Sequence, residues 1–186
     1  MKSTQLINDL IKDTEEIINY IENNVQGMDD ELLRYNPAKN KWNILECIEH
    51  MNIADAHYLT QFESKLTPSS RTTENFKPGL LGNYLVKSMK PKPNGSIPSK
   101  MQTLKSFRPK GQHNVFEIFL KDQRQLIKHM EQSREIDLNK VRIVSAIGSI
   151  IQFKLGDAFR FVTAHNQRHI LQIKNNLSFW KEQTVV

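Results

Sequence analysis

Hydrophobic residues recur every three or four positions in four long stretches of the chain, a spacing typical of amphipathic helices. We predict the first helix from about Ser3 to Asn24, the second from Asn43 to about Leu66, the third from Asn114 to near Ser133, and the fourth from about Gly156 to Phe179. Four such helices predict an all-α fold, a four-helix bundle whose inward faces can host a site.

Two of these helices begin with a pair of residues that can form a reciprocal N-cap. Asn43 is followed three positions later by Glu46, and Asn114 by Glu117. In each pair the two side chains can accept hydrogen bonds from amides of the first turn that have no helical partner. Trp42 directly precedes the first pair, and we expect it to pack back against the first turn.

The connection between the second and third helices, residues 67–112, is long, basic and proline-bearing. Residues 75–116 contain eight Lys or Arg and no Asp or Glu, and within the connection only 80–89 suggests a short helix. A lid or binding loop that attracts an anionic small molecule and a solvated insertion are both compatible with this composition. The prolines of the connection are Pro68, Pro78, Pro91, Pro93, Pro98 and Pro109.

Two shorter segments complete the predicted organisation. Residues 31–33 can form a short helical turn, and the β-branched run 141–151, interrupted by Gly148, predicts an extended crossover, with short strand pairing left open. We find no internal repeat and no boundary between domains. We therefore expect one domain spanning residues 1–186.

Composition places the chain among soluble globular proteins. Hydrophobic residues make up 38% of its 186 residues and charged residues 25%. No apolar run has the length of a secretory signal or a membrane span, so we expect no membrane association. A single cysteine fits a reducing compartment, which favours a cytoplasmic location.

The net charge of +6 and the pI of about 9.4 raise the question of nucleic-acid binding. The basic residues are not gathered on one helix between aromatic residues, and they form no recognised nucleic-acid motif. Excess charge of this size often serves solubility alone. We expect no nucleic-acid partner.

His165 and His169 are the strongest candidates for chemistry. They lie four residues apart on the fourth predicted helix, so their side chains point the same way and can bind one metal ion. Both occupy an otherwise apolar stripe that includes Val162 and Ile173, so the alternative is a pair of hydrogen-bonded core histidines. His50, on the flank of the second helix, would converge with them as a third ligand.

Two common metal chemistries fit this pattern poorly. Asn166 stands where a zinc protease motif needs its Glu general base. A carboxylate-bridged iron pair needs Glu three residues before each His, and Cys47, Val162 and Asn166 occupy those positions.

Other side chains are secondary candidates. Cys47 could be a soft extra ligand, although a buried free cysteine is common, and His57 is a fallback ligand. We interpret His113 and His129 as ordinary surface histidines. The candidates for a general base, each more often structural, are Asp55, Tyr58 and Asp157.

In these features the chain resembles the DinB/YfiT-like superfamily of four-helix metalloproteins. Members have a Trp followed by a capping residue, an inward His on the second helix, and a closing helix with two His four residues apart that continues into Gln-Ile. The matching residues here are Trp42, Asn43, His50, Met51, His165, His169, Gln172 and Ile173. Asn43 stands where members have Ser or Thr, and Asn is an equivalent cap.

The resemblance implies a bundle with a long connection after its second helix and a bound divalent metal ion, zinc or nickel. It also implies a small-molecule substrate and pairing into a homodimer. Some members are thiol S-transferases that use a low-molecular-weight thiol, and others are hydrolase-like. The alternative is a non-catalytic, stress-associated module that binds a metal or small ligand.

Three neutral imidazoles leave an open position on a divalent ion, as in catalytic zinc sites. Such a site can lower the pKa of bound water to about 7 or hold a thiol as its thiolate. We therefore expect a metal-dependent transferase or hydrolase.

Overall fold

The computed structural model describes residues 1–67, 72–97 and 102–184, apart from the side chain of Thr184. In chain order, these residues form α1 (Ser3–Asn24), α2 (Asp30–Leu33), α3 (Ile44–Lys65), α4 (Leu80–Met89), α5 (Val115–Gln132), β1 (Arg142–Ser145), β2 (Gly148–Lys154) and α6 (Leu155–Thr184). Single 3₁₀ turns lie at Lys105–Phe107 and Ser133–Glu135. None of the helices in the described ranges is long and apolar enough to cross a membrane.

The predicted four-helix bundle is confirmed, with α1, α3, α5 and α6 as its members. α1 and α3 each pack against both α5 and α6. α1 and α3 therefore occupy opposite corners of the bundle, although they are consecutive in the order of the four long helices. α6 continues five residues beyond the predicted end at Phe179.

The hydrophobic core is divided into two clusters by a buried polar layer. Along α6 one cluster reaches Ala164 and the other begins at Ile170, and the same interruption occurs along each of the other three helices. The polar layer consists of Thr14, His50, Asn52, Asp55, Gln123, His165, Asn166 and His169. Buried polar groups carry a free-energy cost unless they are paired, so this layer is a candidate for the functional site.

The reciprocal cap predicted at the start of α3 is confirmed. The Glu46 amide donates to Asn43 Oδ1 at 2.9 Å, and the Asn43 amide donates to Glu46 Oε2 at 2.9 Å. The prediction at Asn114 is wrong, since this residue has a φ of 56° and its side chain makes no cap hydrogen bond. A side-chain cap normally needs extended backbone at that position, which brings the side-chain oxygen over the first turn.

Residues 142–154 form an antiparallel hairpin and not the predicted crossover. Ile143 pairs with Phe153, and β2 leads directly into α6. The strand pairing that the sequence left open is therefore observed. Gln61 of α3 forms hydrogen bonds with backbone groups of β1 that do not pair with β2. Its side chain accepts from the Val144 amide at 2.8 Å and donates to the Val144 carbonyl at 3.0 Å.

The long connection contains α4 at the predicted position and is otherwise mostly irregular. Pro68 and Pro98 lie outside the described residues. Residues 102–112 are fastened to α3, because the Glu49 carboxylate accepts from the amides of Lys110 at 2.5 Å and Gly111 at 2.9 Å. This fastening places the segment beside His50, the next residue of α3.

Candidate metal centre

Three histidines from two helices meet in the polar layer of the bundle. His50 comes from the second turn of α3, and His165 and His169 come from the middle of α6. One nitrogen from each ring lies within 4.8 Å of the corresponding nitrogens of the other two. All three side chains are buried. The helical spacing of four residues and the packing of α3 on α6 together produce this convergence.

Each of the three imidazoles has an oxygen atom beside its Nδ1. His50 Nδ1 lies 2.7 Å from the Phe107 carbonyl, His165 Nδ1 lies 3.3 Å from Asn166 Oδ1, and His169 Nδ1 lies 3.2 Å from Gln172 Oε1. A carbonyl oxygen can only accept a hydrogen bond, so each Nδ1 carries the ring proton. Each Nε2 therefore has a free lone pair, as a metal ligand requires.

The Nε2 atoms of His50 and His165 face one another at 3.1 Å. With the ring protons on Nδ1, the two lone pairs would point at each other, an arrangement that a cation between them stabilises. Zinc is bound by imidazole nitrogens at about 2.0–2.1 Å, which separates two ligating nitrogens by roughly 3.3 Å in a tetrahedral site. The donor set and its spacing thus fit a divalent metal ion.

The electrostatics of the site keep all three rings neutral. Burial lowers the pKa of His165 to about 3, with the charge of His50 as the second cause. Burial and the neighbouring histidines lower the pKa of His169 well below its usual value, and burial lowers the pKa of His50. Protonation therefore competes weakly for these nitrogens near neutral pH.

A buried hydrogen-bond network supports His165 from the far side of the site. Asn166 presents Oδ1 to His165 and donates from Nδ2 to Asp55 Oδ2 at 2.9 Å. Gln123 of α5 donates to the same Asp55 oxygen at 2.6 Å. Burial raises the pKa of Asp55 to about 8, although both hydrogen bonds oppose this rise. The network joins α3, α5 and α6 around a carboxyl group that is largely protonated at neutral pH.

Trp42 forms part of the wall of the site. Its ring centroid lies 4.8 Å from that of His50 and 6.1 Å from that of His169. Its role thus extends beyond packing near the first turn of α3, because it shields two of the candidate ligands.

Cys47 and His57 do not join the three histidines. Cys47 is buried in the apolar cluster near the start of α3, and burial raises the pKa of its thiol strongly. His57 Nε2 lies 3.0 Å from the Val144 carbonyl, so this histidine faces the hairpin. In the described part of the chain, the group with metal-ligand spacing consists of His50, His165 and His169 alone.

The interpretation of His129 as a surface residue is wrong. Only 2% of this residue is exposed, and its ring packs against Phe62 while its nitrogens contact Gln125 and Gln132. His129 lies three residues after Leu126, on the buried face of α5, and this helical spacing indicated that His129 would be buried. His113 is exposed, as expected.

Two of the three candidates for a general base line the cavity beside the histidines. Asp55 and Tyr58 reach it, and the Tyr58 oxygen accepts from the Ala146 amide at 3.1 Å. Burial raises the pKa of Tyr58 to about 12. Asp157 is not among the residues that line this cavity, and it binds the Gly79 amide at 2.7 Å and Arg160 at 2.8 Å.

The cavity above the histidines has a volume of about 640 Å³. Its lining includes aromatic side chains from three parts of the chain: Trp42, Phe107 and Phe161. It also includes Arg168, which was not among the predicted site residues. Arg168 lies three residues after His165, and that spacing was the available signal for a shared face.

A four-helix bundle with three converging, neutral histidines beside a cavity defines a class of candidate metal-binding bundle proteins. Residues 14–173 match the sequence profile of the DinB superfamily. The chain belongs to this superfamily, as the sequence motifs predicted.

Among solved structures, this protein is similar to YfiT from Bacillus subtilis. The TM-score is 0.57 with 13% sequence identity, over 92% of this chain and 86% of YfiT. YfiT is described as a probable metal-dependent hydrolase with an unusual four-helix bundle topology. At this identity the likeness establishes a shared fold. No curated protein sequence matches the chain.

Proposed function

We propose that this protein is a metal-dependent enzyme in which His50, His165 and His169 hold one divalent ion, zinc or nickel. The observation that carries the proposal is the arrangement of the three rings: each has its Nδ1 beside an oxygen, and one nitrogen from each ring lies within 4.8 Å of those of the other two. A divalent ion bound there supplies Lewis acidity, which lowers the pKa of a coordinated water or thiol.

The residues around the histidines define what the chain itself contributes to such a reaction. The Phe107 carbonyl and Gln172 hold the rings of His50 and His169 in their ligating tautomers. Trp42 and Phe107 line the cavity beside the histidines with apolar surface. The cavity volume suits a small-molecule substrate.

Two reaction types follow from this arrangement. Activated water would give hydrolysis, which the description of YfiT favours. An activated low-molecular-weight thiol would give transfer of the thiol to an electrophile, as the resemblance to thiol S-transferases implies. Both reactions use the same metal site and differ in the nucleophile that enters the cavity.

The second candidate function is binding of a metal or small ligand without turnover. The hydrogen bonds of Asp55 and Tyr58 favour it, since both candidate bases are already engaged within the protein. A cytoplasmic location and pairing into a homodimer complete the proposal. Sedimentation velocity measurements would test the pairing.

Elemental analysis of protein purified without a histidine tag tests the metal site. We expect about one zinc or nickel ion per chain, and its loss in His169→Ala. His113→Ala is the matched control, because this exposed histidine lies outside the cluster. Substoichiometric metal that is the same in wild type and His169→Ala would overturn the proposal.

Activity assays on the zinc-loaded and nickel-loaded protein then separate the two functions. Thiols would be paired with alkylating and epoxide electrophiles, and esters and amides would be offered for hydrolysis. Turnover that is lost with His169→Ala supports the enzyme. Stoichiometric metal without turnover across both substrate sets supports the binding module.

A further inference from the structure

The cavity beside the histidines is lined by three permanent cations. Lys41 and Arg108 are exposed at its mouth, and Arg168 is half-buried beside the metal site. Among the described residues that line the cavity, Asp55 is the only one with an acidic side chain. The cations outnumber the acidic group by three to one even if Asp55 is ionised.

Arg168 lies on the same face of α6 as the two candidate ligands. It follows His165 by three residues and precedes His169 by one, and Gln172 comes one turn later on the same wall. Arg168 is half-buried, so its guanidinium forms part of the cavity wall next to the two candidate ligands.

The proposed metal ion would add two further positive charges to this cavity. Neutral histidines leave the charge of the ion uncompensated. Residues 75–116 cannot supply the compensation, because they contain no acidic side chain. Burial raises the pKa of Asp55 to about 8, which disfavours its charged form near neutral pH. An anion that enters with the ligand would therefore relieve a strongly positive potential.

The cavity wall also carries several apolar side chains. Met89, Leu104, Ile147 and Phe161 line it together with Trp42. A ligand that fills this space would thus combine an apolar body with an acidic group. The exposed Lys41 and Arg108 would attract it to the mouth, and Arg168 would meet it inside.

We propose that the substrate of this site is a small organic anion, whose carboxylate or phosphate group is bound by Arg168 with help from Arg108 and Lys41. This inference rests on the proposed function, since it names the substrate class of the same cavity. Arg168 is assigned as a binding residue. A planar guanidinium suits an oxyanion because it can donate two parallel hydrogen bonds.

Calorimetric titration of the zinc-loaded protein with three probes of similar shape tests the proposal. The probes are 4-phenylbutyrate, 4-phenylbutan-1-ol and 4-phenylbutylamine, which share a phenylbutyl skeleton and end in an anionic, a neutral and a cationic group. We expect the carboxylate to bind at least about tenfold more tightly than the alcohol, and the amine to bind more weakly than both. Equal affinity for the carboxylate and the alcohol would overturn the proposal.

A carboxylate can also bind zinc directly, so variants must separate the two contributions. We expect Arg168→Gln to reduce the affinity for 4-phenylbutyrate by about tenfold, at unchanged zinc content and with little effect on the alcohol. Arg168→Lys should retain part of the preference for the anion, because it keeps the charge. Arg124→Gln is the control, since Arg124 is exposed on α5 and pairs with Glu22 away from the cavity.

The outcomes distinguish this inference from the proposed function. If zinc binds and Arg168→Gln leaves the preference for the carboxylate unchanged, the assignment of Arg168 is wrong and the metal site stands. If the wild type binds no metal, the metal-free protein should still prefer the carboxylate, with the same loss in Arg168→Gln. The absence of that preference would overturn the anion site independently of the metal.

Discussion

At the scale of single residues, the six histidines differ in what their ring nitrogens contact. Those of His50, His165 and His169 contact oxygens through Nδ1, and one nitrogen from each of these rings lies within 4.8 Å of those of the other two. His57 and His129 bind to nearby backbone or glutamine side chains and have no such common point. The orientation of the ring, set by its hydrogen-bond partner, thus separates a candidate ligand from a structural histidine.

Removal of the side chain that orients His169 should weaken metal binding without abolishing it. In Gln172→Ala the acceptor for the His169 Nδ1 proton is lost, so we expect zinc affinity to fall by about 10- to 100-fold. Competition with a chromophoric chelator measures this change. Gln167→Ala, on the same helix and outside the histidine cavity, is the matched control. Equal affinities in the two variants would show that Gln172 does not orient the ring.

The carboxyl group of Asp55 should make the metal-free protein less stable as the pH rises. Burial raises its folded-state pKa from 3.8 to about 8, so the folded protein retains a proton that the unfolded chain releases above about pH 4. The free energy of unfolding therefore falls between these pH values, by up to about 1.4 kcal/mol per pH unit from this group. Asp55→Asn should remove that slope.

The comparison of wild type with Asp55→Asn between pH 6.5 and 8 isolates the effect of Asp55. The pKa values of the three site histidines are lowered in the folded state, so in the lower part of this range they add a slope of opposite sign that is the same in both proteins. Urea unfolding of wild type and Asp55→Asn across this range measures the difference in slope. Parallel slopes would contradict a protonated Asp55 in the folded protein.

At the scale of secondary structure, the start of α3 positions one of the three candidate ligands. The reciprocal cap between Asn43 and Glu46 defines where the helix begins, and His50 follows in the second turn. The next residue outside the cap, Trp42, packs against the rings of His50 and His169. The cap therefore connects helix initiation with the geometry of the site.

Loss of this cap should destabilise the protein. We expect Asn43→Ala to lower the free energy of unfolding by about 1 kcal/mol, because the Glu46 amide loses its acceptor. Asn43→Ser keeps an oxygen that can accept the same hydrogen bond and should retain most of the stability. Urea denaturation measures the free energy of unfolding of the two variants, and an unchanged m value would show that a shift in midpoint reflects stability. Indistinguishable stabilities would show that the hydrogen bond contributes little.

At the scale of the whole molecule, the polar layer crosses all four bundle helices and separates two apolar clusters. The candidate metal site occupies one side of this layer, and the Asp55 network occupies its interior. A metal bound to His50, His165 and His169 would join α3 to α6 across the layer. Metal binding and folding should therefore be coupled.

Metal addition should accordingly raise the thermal stability of the protein. With free zinc at about 1,000 times its dissociation constant, we expect the folded state to gain about 4 kcal/mol, provided that the unfolded chain binds zinc weakly. Differential scanning calorimetry with and without a chelator measures the shift in melting temperature. His169→Ala should lose most of the shift. An identical shift in this variant would place the stabilising metal elsewhere.

Much of this architecture is local and could be predicted from the order of residues. Hydrophobic periodicity located the four long helices and α4, and the Asn43–Glu46 pair located the start of α3. These features depend on side-chain spacing within a few turns, which the sequence states directly. The same spacing placed His165 and His169 on one helical face.

Only the tertiary structure decided which distant groups meet. The Phe107 carbonyl orients His50 across 57 positions of sequence, and Asp55, Gln123 and Asn166 come from three helices. The hairpin and the place of Arg168 in the cavity likewise depend on packing between elements. Periodicity assigns a residue to a face of its own helix, whereas its partner depends on how the helices are arranged around one another.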